Sequence, residues 1–258
     1  MRKERRKTNI WKVAAVVAIV LSLNQVVVGA PRYKVLHYFS GTDGVGPYGG
    51  VTADQEGNLY GASDSGGSGG CDGYGFGLIF ELKRGEDGVW AETILHTFGS
   101  VGDGSVPYGS LTLDSAGNVY GTTTTGGAYN YGTVFELTDR SGGWAEKLLY
   151  SFKYLSQPGA KLAMDKEGNI YGVTPKDSDA YELMRGFNRW KESVLHNFTG
   201  NHGDGYDPYA GMILDAAGNL YGTTQNGGHP VWQFKLRYGL PTEPTGWGRV
   251  ERNCPAPL

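Results

Sequence analysis

Several things are scarce in this chain, and each scarcity closes a class of function. Only two of its 258 residues are cysteine, Cys71 and Cys254. Neither has a second Cys or a His at ligand spacing, which excludes a zinc finger or a disulfide-dense scaffold. Charged residues are 19% of the total, and beyond residue 30 no basic stretch is long enough to neutralise a row of phosphates. Nucleic acid is therefore not an expected partner. There is no Gly-x-Ser-x-Gly and no His-Glu-x-x-His, and the Gly-rich loops lack the Lys-Ser/Thr of a phosphate cradle. No helix-forming run of Ala, Glu, Lys and Leu is long enough for a bundle. No catalytic residue, metal or cofactor is expected.

The 43 glycines are more than twice the usual share of about 7%. They come with 17 Tyr, 9 Phe and 6 Trp, side chains whose burial offsets chain entropy. Many glycines, many aromatics and few charges describe short strands joined by tight turns. The fold class read from composition is all-β.

The formal charge of −3 averages two populations. Residues 1–30 carry six basic side chains (Arg2, Lys3, Arg5, Arg6, Lys7, Lys12) and the single acid Glu4, leaving 17 basic against 25 acidic residues in the remainder. The basic start leads into an apolar run from Val13 to Leu23 and ends in Val28-Gly29-Ala30. This is the pattern of a secretory signal peptide, and it is short for a spanning helix of about 20 residues. Cleavage after Ala30, cleavage after Gly29 and retention as an anchor all remain open. The predicted location is secreted, cell-surface or periplasmic, with no stable membrane span once the signal is removed. In such a compartment Cys71 and Cys254 are either a disulfide or two free thiols.

One string occurs four times: Asp54 to Gly61, Asp114 to Gly121, Asp165 to Gly172 and Asp215 to Gly222, each reading Asp-x-x-Gly-Asn-aliphatic-Tyr-Gly. Other slots keep phase with it. Before it lie Pro47-Tyr48-Gly49, Pro107-Tyr108-Gly109, Pro158-Gly159-Ala160 and Pro208-Tyr209-Ala210. After it come a small-residue loop such as Thr122 to Gly127, then Phe80-Glu81-Leu82 or its equivalent, then a strand opened by Trp90, Trp144 or Trp190. Asp-x-x-Gly is a turn signature, with Asp accepting from the backbone two residues on and Gly closing the turn. Each unit reads as four strands of about six to nine residues. Four antiparallel strands in about 50 residues is the period of a propeller blade. The expected domain is residues 31–252, with blades at about 47–98, 107–152, 158–198 and 208–236, followed by a tail at 253–258. Tyr33–Phe39 is an orphan copy of a fourth strand, and the last unit lacks one, so the N-terminal strand is expected to complete a closed four-bladed β-propeller. Trp247 to Arg252 as a poor fourth strand leaves open an array that is unclosed, or a piece of a longer repeat protein.

These strings, together with Leu-His-x-Phe at Leu95 to Phe98 and Leu195 to Phe198, resemble the Gloeobacter/Verrucomicrobium tandem repeat family over roughly residues 33–236. Asp-x-x-Gly-Asn-aliphatic-Tyr alone is also similar to NHL-type propeller repeats. The resemblance implies an exported bacterial repeat protein with a propeller fold, and it carries no catalytic residues. The third unit departs most: it lacks the Tyr after Pro158, and Val173-Thr174-Pro175 replaces the Gly-Gly loop.

Candidate site residues come from the repeat. His37, His96 and His196 share one slot, filled by Tyr150 in the remaining copy, and a slot repeated by symmetry is a packing position. Glu81, Glu136 and Glu182 obey the repeat, as a catalytic pair would not, and read as a repeated hydrogen bond or solvated edge. His202 and His229 lie in loops. The linkers around Asp43, Asp103 and Asp204, with Tyr48, Tyr108 and Tyr209, are expected to share one face with the loop after the second strand. Carboxylates, rings and hydroxyls together suit a polar ligand such as a sugar. The expected function is a binding module whose partner is a polysaccharide or a cell-surface protein. A propeller glycoside hydrolase or polysaccharide lyase is the alternative.

Overall fold

The computed structural model describes residues 33–67, 74–154, 156–187, 189–201 and 204–227, and the backbone of 234–237. The signal segment, Cys71, Cys254, His202, His229 and everything after residue 237 lie outside the described residues. The chain divides into two units, Met1–Leu36 and His37–Leu258. Only residues 33–36 of the first are described, and they belong to no strand.

The second unit is all-β, with no helix among its described residues. Its first sheet orders β1 (Val51–Ala53), β2 (Leu59–Ser63), β3 (Leu78–Arg84) and β4 (Trp90–Thr97) side by side. The second is built from β5 (Gly104–Pro107), β6 (Thr112–Leu113), β7 (Val119–Gly126), β8 (Thr133–Arg140) and β9 (Gly143–Ser151). The third repeats the first with β10 (Ala163–Met164), β11 (Ile170–Thr174), β12 (Asp179–Arg185) and β13 (Trp190–Asn197). In the last unit β15 (Ile213–Leu214), β16 (Asn219–Gly222) and β18 (Phe234–Arg237) form three strands, and β14 (Gly205–Tyr206) pairs with β17 (Asn226–Gly227).

The hairpin between first and second strands is set by the aspartate. Asp114 Oδ1 accepts from the backbone N–H of Ala116 and Asn118, and Oδ2 accepts from Asn118 Nδ2 at 2.7 Å. Gly117, at φ +83°, closes the turn by donating to the Asp114 carbonyl. Asp54 and Asp215 repeat the arrangement.

Two strand lengths differ from the reading of the sequence. The first strands hold only two or three residues, because successive units converge there until backbone meets backbone. A Cβ on Gly49 would lie 2.5 Å from the backbone of Gly109, and one on Gly109 would lie 2.7 Å from the Gly159 carbonyl. Thr52 Oγ1 donates to the Leu111 carbonyl and Thr112 Oγ1 to that of Leu162, tying each first strand to the next unit. The small-residue loop, in turn, is partly strand. β7 runs on through Thr122 to Gly126 because the linker β5 pairs with it, Gly104 opposite Gly126 and Pro107 opposite Thr123.

The core lies between sheets. Tyr60, Ile79, Leu95 and Phe98 of the first sheet pack against Leu111, Val119, Phe135 and Leu137 of the second. The second meets the third through Val134, Leu149 and Phe152 against Ile170, Tyr181 and Leu183. Ala163, Val173 and Phe198 face Met212 and Leu220 of the last unit. A lone sheet would leave these apolar faces in water, so stacking of copies is what makes each one stable.

One aromatic per unit anchors each interface. Phe80, Phe135 and Tyr181 lie opposite Gly61, Gly121 and Gly172 on the neighbouring strand. A Cβ on Gly121 would sit 2.6 Å from Phe135 Cζ, so the ring occupies the space a side chain would take. The preceding fourth-strand slot then supplies an edge-on ring: Phe39 on Phe80, Phe98 on Phe135 and Phe152 on Tyr181, at 5.1–5.2 Å. Residues 37–40 belong to no strand, yet His37 and Phe39 fill the slots of His96 and Phe98.

Gly121→Ala is expected to cost about 1–3 kcal/mol through overpacking against Phe135. Tyr181, fully buried with no partner for its hydroxyl, behaves oppositely: Tyr181→Phe removes an unsatisfied group worth about 1–3 kcal/mol and restores the ring of the other units. Urea unfolding of the full chain reads both signs in one series.

Candidate functional site

The linker face is assembled by three local devices. The first is a β-bulge in each fourth strand. Pairing slips between Ile79 and Phe80, between Val134 and Phe135, and between Ala180 and Tyr181, leaving Leu95, Leu149 and Leu195 as the extra residues opposite. A bulge adds local twist and re-aims the side chains beyond it. Leu95 and Leu149 turn into the core, His96 and His196 reach the linker aspartates, and Tyr150 reaches Glu192 of the next sheet.

The second device is the linker aspartate. Asp43, Asp103 and Asp204 each approach the Nε2 of their histidine, His37, His96 and His196, at 3.2 Å. They also accept from the backbone N–H of Ser40, Gly99 and Thr199. The three histidines pack edge-on against Phe39, Phe98 and Phe198. The Asp carboxylates are therefore engaged by the fold, and Asp103 has only 5% of its side chain exposed. That carboxylate pairing with the repeated histidine escaped the sequence reading, although Asp43, Asp103 and Asp204 accompany the three histidines while no Asp lies between Tyr150 and Pro158.

The third device is backbone strain. Gly46, Val106, Gln157 and Asp207, each immediately before the proline, all take positive φ, between 44° and 73°. That region is costly for any residue with a Cβ, above all a β-branched one such as Val106. It turns the chain so that the next residue but one faces solvent. Tyr48, Tyr108 and Tyr209 are 66%, 46% and 54% exposed. Tyr48 and Tyr108 stack with centroids 5.2 Å apart and planes 23° from parallel. The third unit has Gly159 there, and a Cβ on it would lie 3.4 Å from Thr124 Cγ2 and 3.7 Å from Tyr108 Cβ.

At the hairpin-turn end of the sheets, a groove of about 440 Å³ runs between the second and third units, with Tyr120, Glu136, Lys147, Asp165, Arg185 and Trp190 in its wall. Here the repeated glutamates act. Tyr60, Tyr120 and Tyr171 hydroxyls lie 2.8–3.1 Å from Glu81, Glu136 and Glu182, and each also reaches its turn aspartate. Burial, and then the negative charge and hydrogen bond of the neighbouring carboxylates, push all three phenols well above their ordinary range. In the last unit Lys235 replaces the glutamate, and the Tyr221 hydroxyl donates to Asp215 at 2.9 Å.

The carboxyls titrate in two directions. Hydrogen bonds from the Asn219 side chain and backbone hold Asp215 down at about 2. The Ser40 backbone N–H lowers Asp43. Burial works to raise Asp54, but donation from Asn58 and Glu56 outweighs it. These groups stabilise the fold above their unfolded values near 3.8, and that contribution is lost as pH falls toward about 2. Glu192 and Asp179 are raised by burial, so they cost stability as pH rises through their folded values. Thermal unfolding is thus expected to show its highest midpoint in the mildly acidic range and a decline between about pH 4 and pH 2. Asp215→Asn should flatten that decline without shifting the maximum.

Comparisons with known proteins bear on the fold. A streptogramin B lyase structure is 17% identical, with a TM-score of 0.50 over 84% of this chain and 57% of that one. Virginiamycin B lyase from Staphylococcus aureus is 17% identical, with a TM-score of 0.48 over 76% of this chain and 56% of that one. A luciferin-regenerating enzyme is 14% identical, with a TM-score of 0.46 and coverage of 75% and 74%. The chain thus spans a little over half the length of the two lyases. At such identities the likeness concerns architecture, and the architecture is β-propeller-like. No curated protein sequence matches the chain. The model of the Gloeobacter/Verrucomicrobia repeat matches residues 23–183, well over half of the sequence, and the chain belongs to that family.

Proposed function

We propose that this chain is an exported four-bladed propeller, closed through Tyr33–Phe39, whose linker face binds a polar, ring-shaped ligand of the polysaccharide class. The observation that carries the ligand reading is the exposed Tyr48–Tyr108 stack. Tyrosine combines a flat apolar face with a polar edge, the pairing that a sugar ring presents in return. Tyr209 fills the same repeat slot and is likewise exposed, while in the third unit Gly159 brings Thr124 and Tyr108 to where the repeat would place a fourth tyrosine. Strained backbone before each proline supports a functional use of this face, since such strain persists chiefly at sites that need it. Closure is supported by His37 and Phe39, which make the contacts of His96 and Phe98. Export is supported by the basic, apolar, small-residue order of residues 1–30.

The test is binding of the full chain to an array of polysaccharides, followed by titration of any that bind. Tyr108→Ala should lose tenfold or more in affinity, about 1.4 kcal/mol, while Lys166→Ala in the hairpin-end groove leaves binding unchanged. Binding lost with Lys166→Ala but retained with Tyr108→Ala, or no binding to any polysaccharide, contradicts the assignment.

A further inference from the structure

At two junctions the next sheet brings a glutamate up to the histidine and its linker aspartate, and at the first the glutamate reaches the same imidazole nitrogen that faces the aspartate. Asp43 Oδ2 and Glu92 Oε2 lie 3.2 and 3.5 Å from His37 Nε2. Asp103 Oδ2 lies 3.2 Å from His96 Nε2, and Glu146 completes that group. In each trio the three donor atoms are within 4.8 Å of one another. Glu92 and Glu146 occupy one repeat slot, two residues after Trp90 and Trp144.

A hydrogen-bonded bridge explains this geometry poorly. One Nε2 has one proton to give, and two carboxylates converge on it at the first junction. A charge-assisted N–H to carboxylate contact contracts to about 2.7–2.9 Å, shorter than any distance here. Donors around a tetrahedral ion with bonds of about 2.0–2.1 Å stand about 3.3 Å apart, between the two values at His37. The glutamate supplies an independent sign. Glu92 has only 10% of its side chain exposed, and its Oε1 is buried without a hydrogen-bond partner, as is Oε1 of Glu146. A buried carboxylate oxygen lacking a donor is costly, and here the lack repeats at the same slot.

The third junction shows what happens without the full donor set. Tyr150 replaces the histidine, no aspartate lies between it and Pro158, and the Tyr150 hydroxyl donates directly to Glu192 at 2.7 Å. Histidine and aspartate disappear together, and a neutral donor meets the glutamate. At the last linker His196 and Asp204 are paired, with no third ligand among the described residues.

We propose that His37–Asp43–Glu92 and His96–Asp103–Glu146 are two equivalent divalent-cation sites, each tying a histidine and its linker aspartate to the fourth strand of the sheet that follows. One imidazole with two carboxylates suits Zn²⁺ or Mn²⁺ better than the all-oxygen shells of Ca²⁺ and Mg²⁺. The cation neutralises paired carboxylates that otherwise repel.

The full chain, stripped with a chelator and dialysed, is titrated calorimetrically with ZnCl₂ and, separately, MnCl₂, with thermal midpoints read alongside. The expected result is a higher midpoint with metal and the loss of one bound ion in Glu92→Gln, one in Glu146→Gln and two in the double variant. Glu192→Gln, at the tyrosine junction, should lose none. Should a Gln variant fail to fold, Asp43→Asn and Asp103→Asn give the same reading. Absence of binding, or a stoichiometry indifferent to both glutamates and both aspartates, overturns the sites and leaves a histidine–carboxylate contact in their place.

Discussion

The structure depends on an aromatic ring laid across a glycine. Phe80, Phe135 and Tyr181 cover Gly61, Gly121 and Gly172 and receive the edge of a phenylalanine from the preceding repeat. The glycine lets the ring sink against the sheet, and the sunken ring leaves space for the neighbour's ring above it. No side chain larger than hydrogen permits that depth, which is why Tyr-Gly closes every copy of the repeat string. The same ring joins cross-strand packing within one sheet to packing between two, so each sheet is completed only by its neighbour.

That contact sets the linker geometry. The phenylalanine that reaches the next unit ends the fourth strand, and the bulge just before it turns the histidine toward the linker. The linker then carries its aspartate under that histidine, crosses the end of the sheet as an extra strand, and passes through a left-handed residue into Pro-Tyr. Packing, the His–Asp pair and the exposed tyrosines are thus stations along one short path. Substitution at one station accompanies change at the others where the second unit passes into the third: Tyr150, the missing aspartate and Gly159 occur together there.

Much of this was legible in the residues. The repeat string located the turns, the fourth strands open at Trp90 and Trp190 and one residue before Trp144, and of the two roles their phase allowed Glu81, Glu136 and Glu182 take the repeated hydrogen bond. The linker pairs with the segment after the second strand in the second and last units. Three features were out of reach. First-strand length is set by how closely four backbones converge, which no single unit encodes. The bulge at Leu95 looks like uninterrupted alternation until Phe80 is placed opposite. The aspartates, read as displayed carboxylates, turn toward histidines six to eight residues upstream, a contact visible only as a correlation among copies. The tyrosines, by contrast, are exposed.

The proposal that the stacked sheets close into a ring is tested most directly by native-state hydrogen exchange of the full chain, read strand by strand. A closed ring has no terminal unit, so the amides of β3, β8 and β12 should open together with one common free energy. Protection that is high in β8 and β12 but falls away in β3 would mean an open array fraying from its end, and would contradict closure through Tyr33–Phe39.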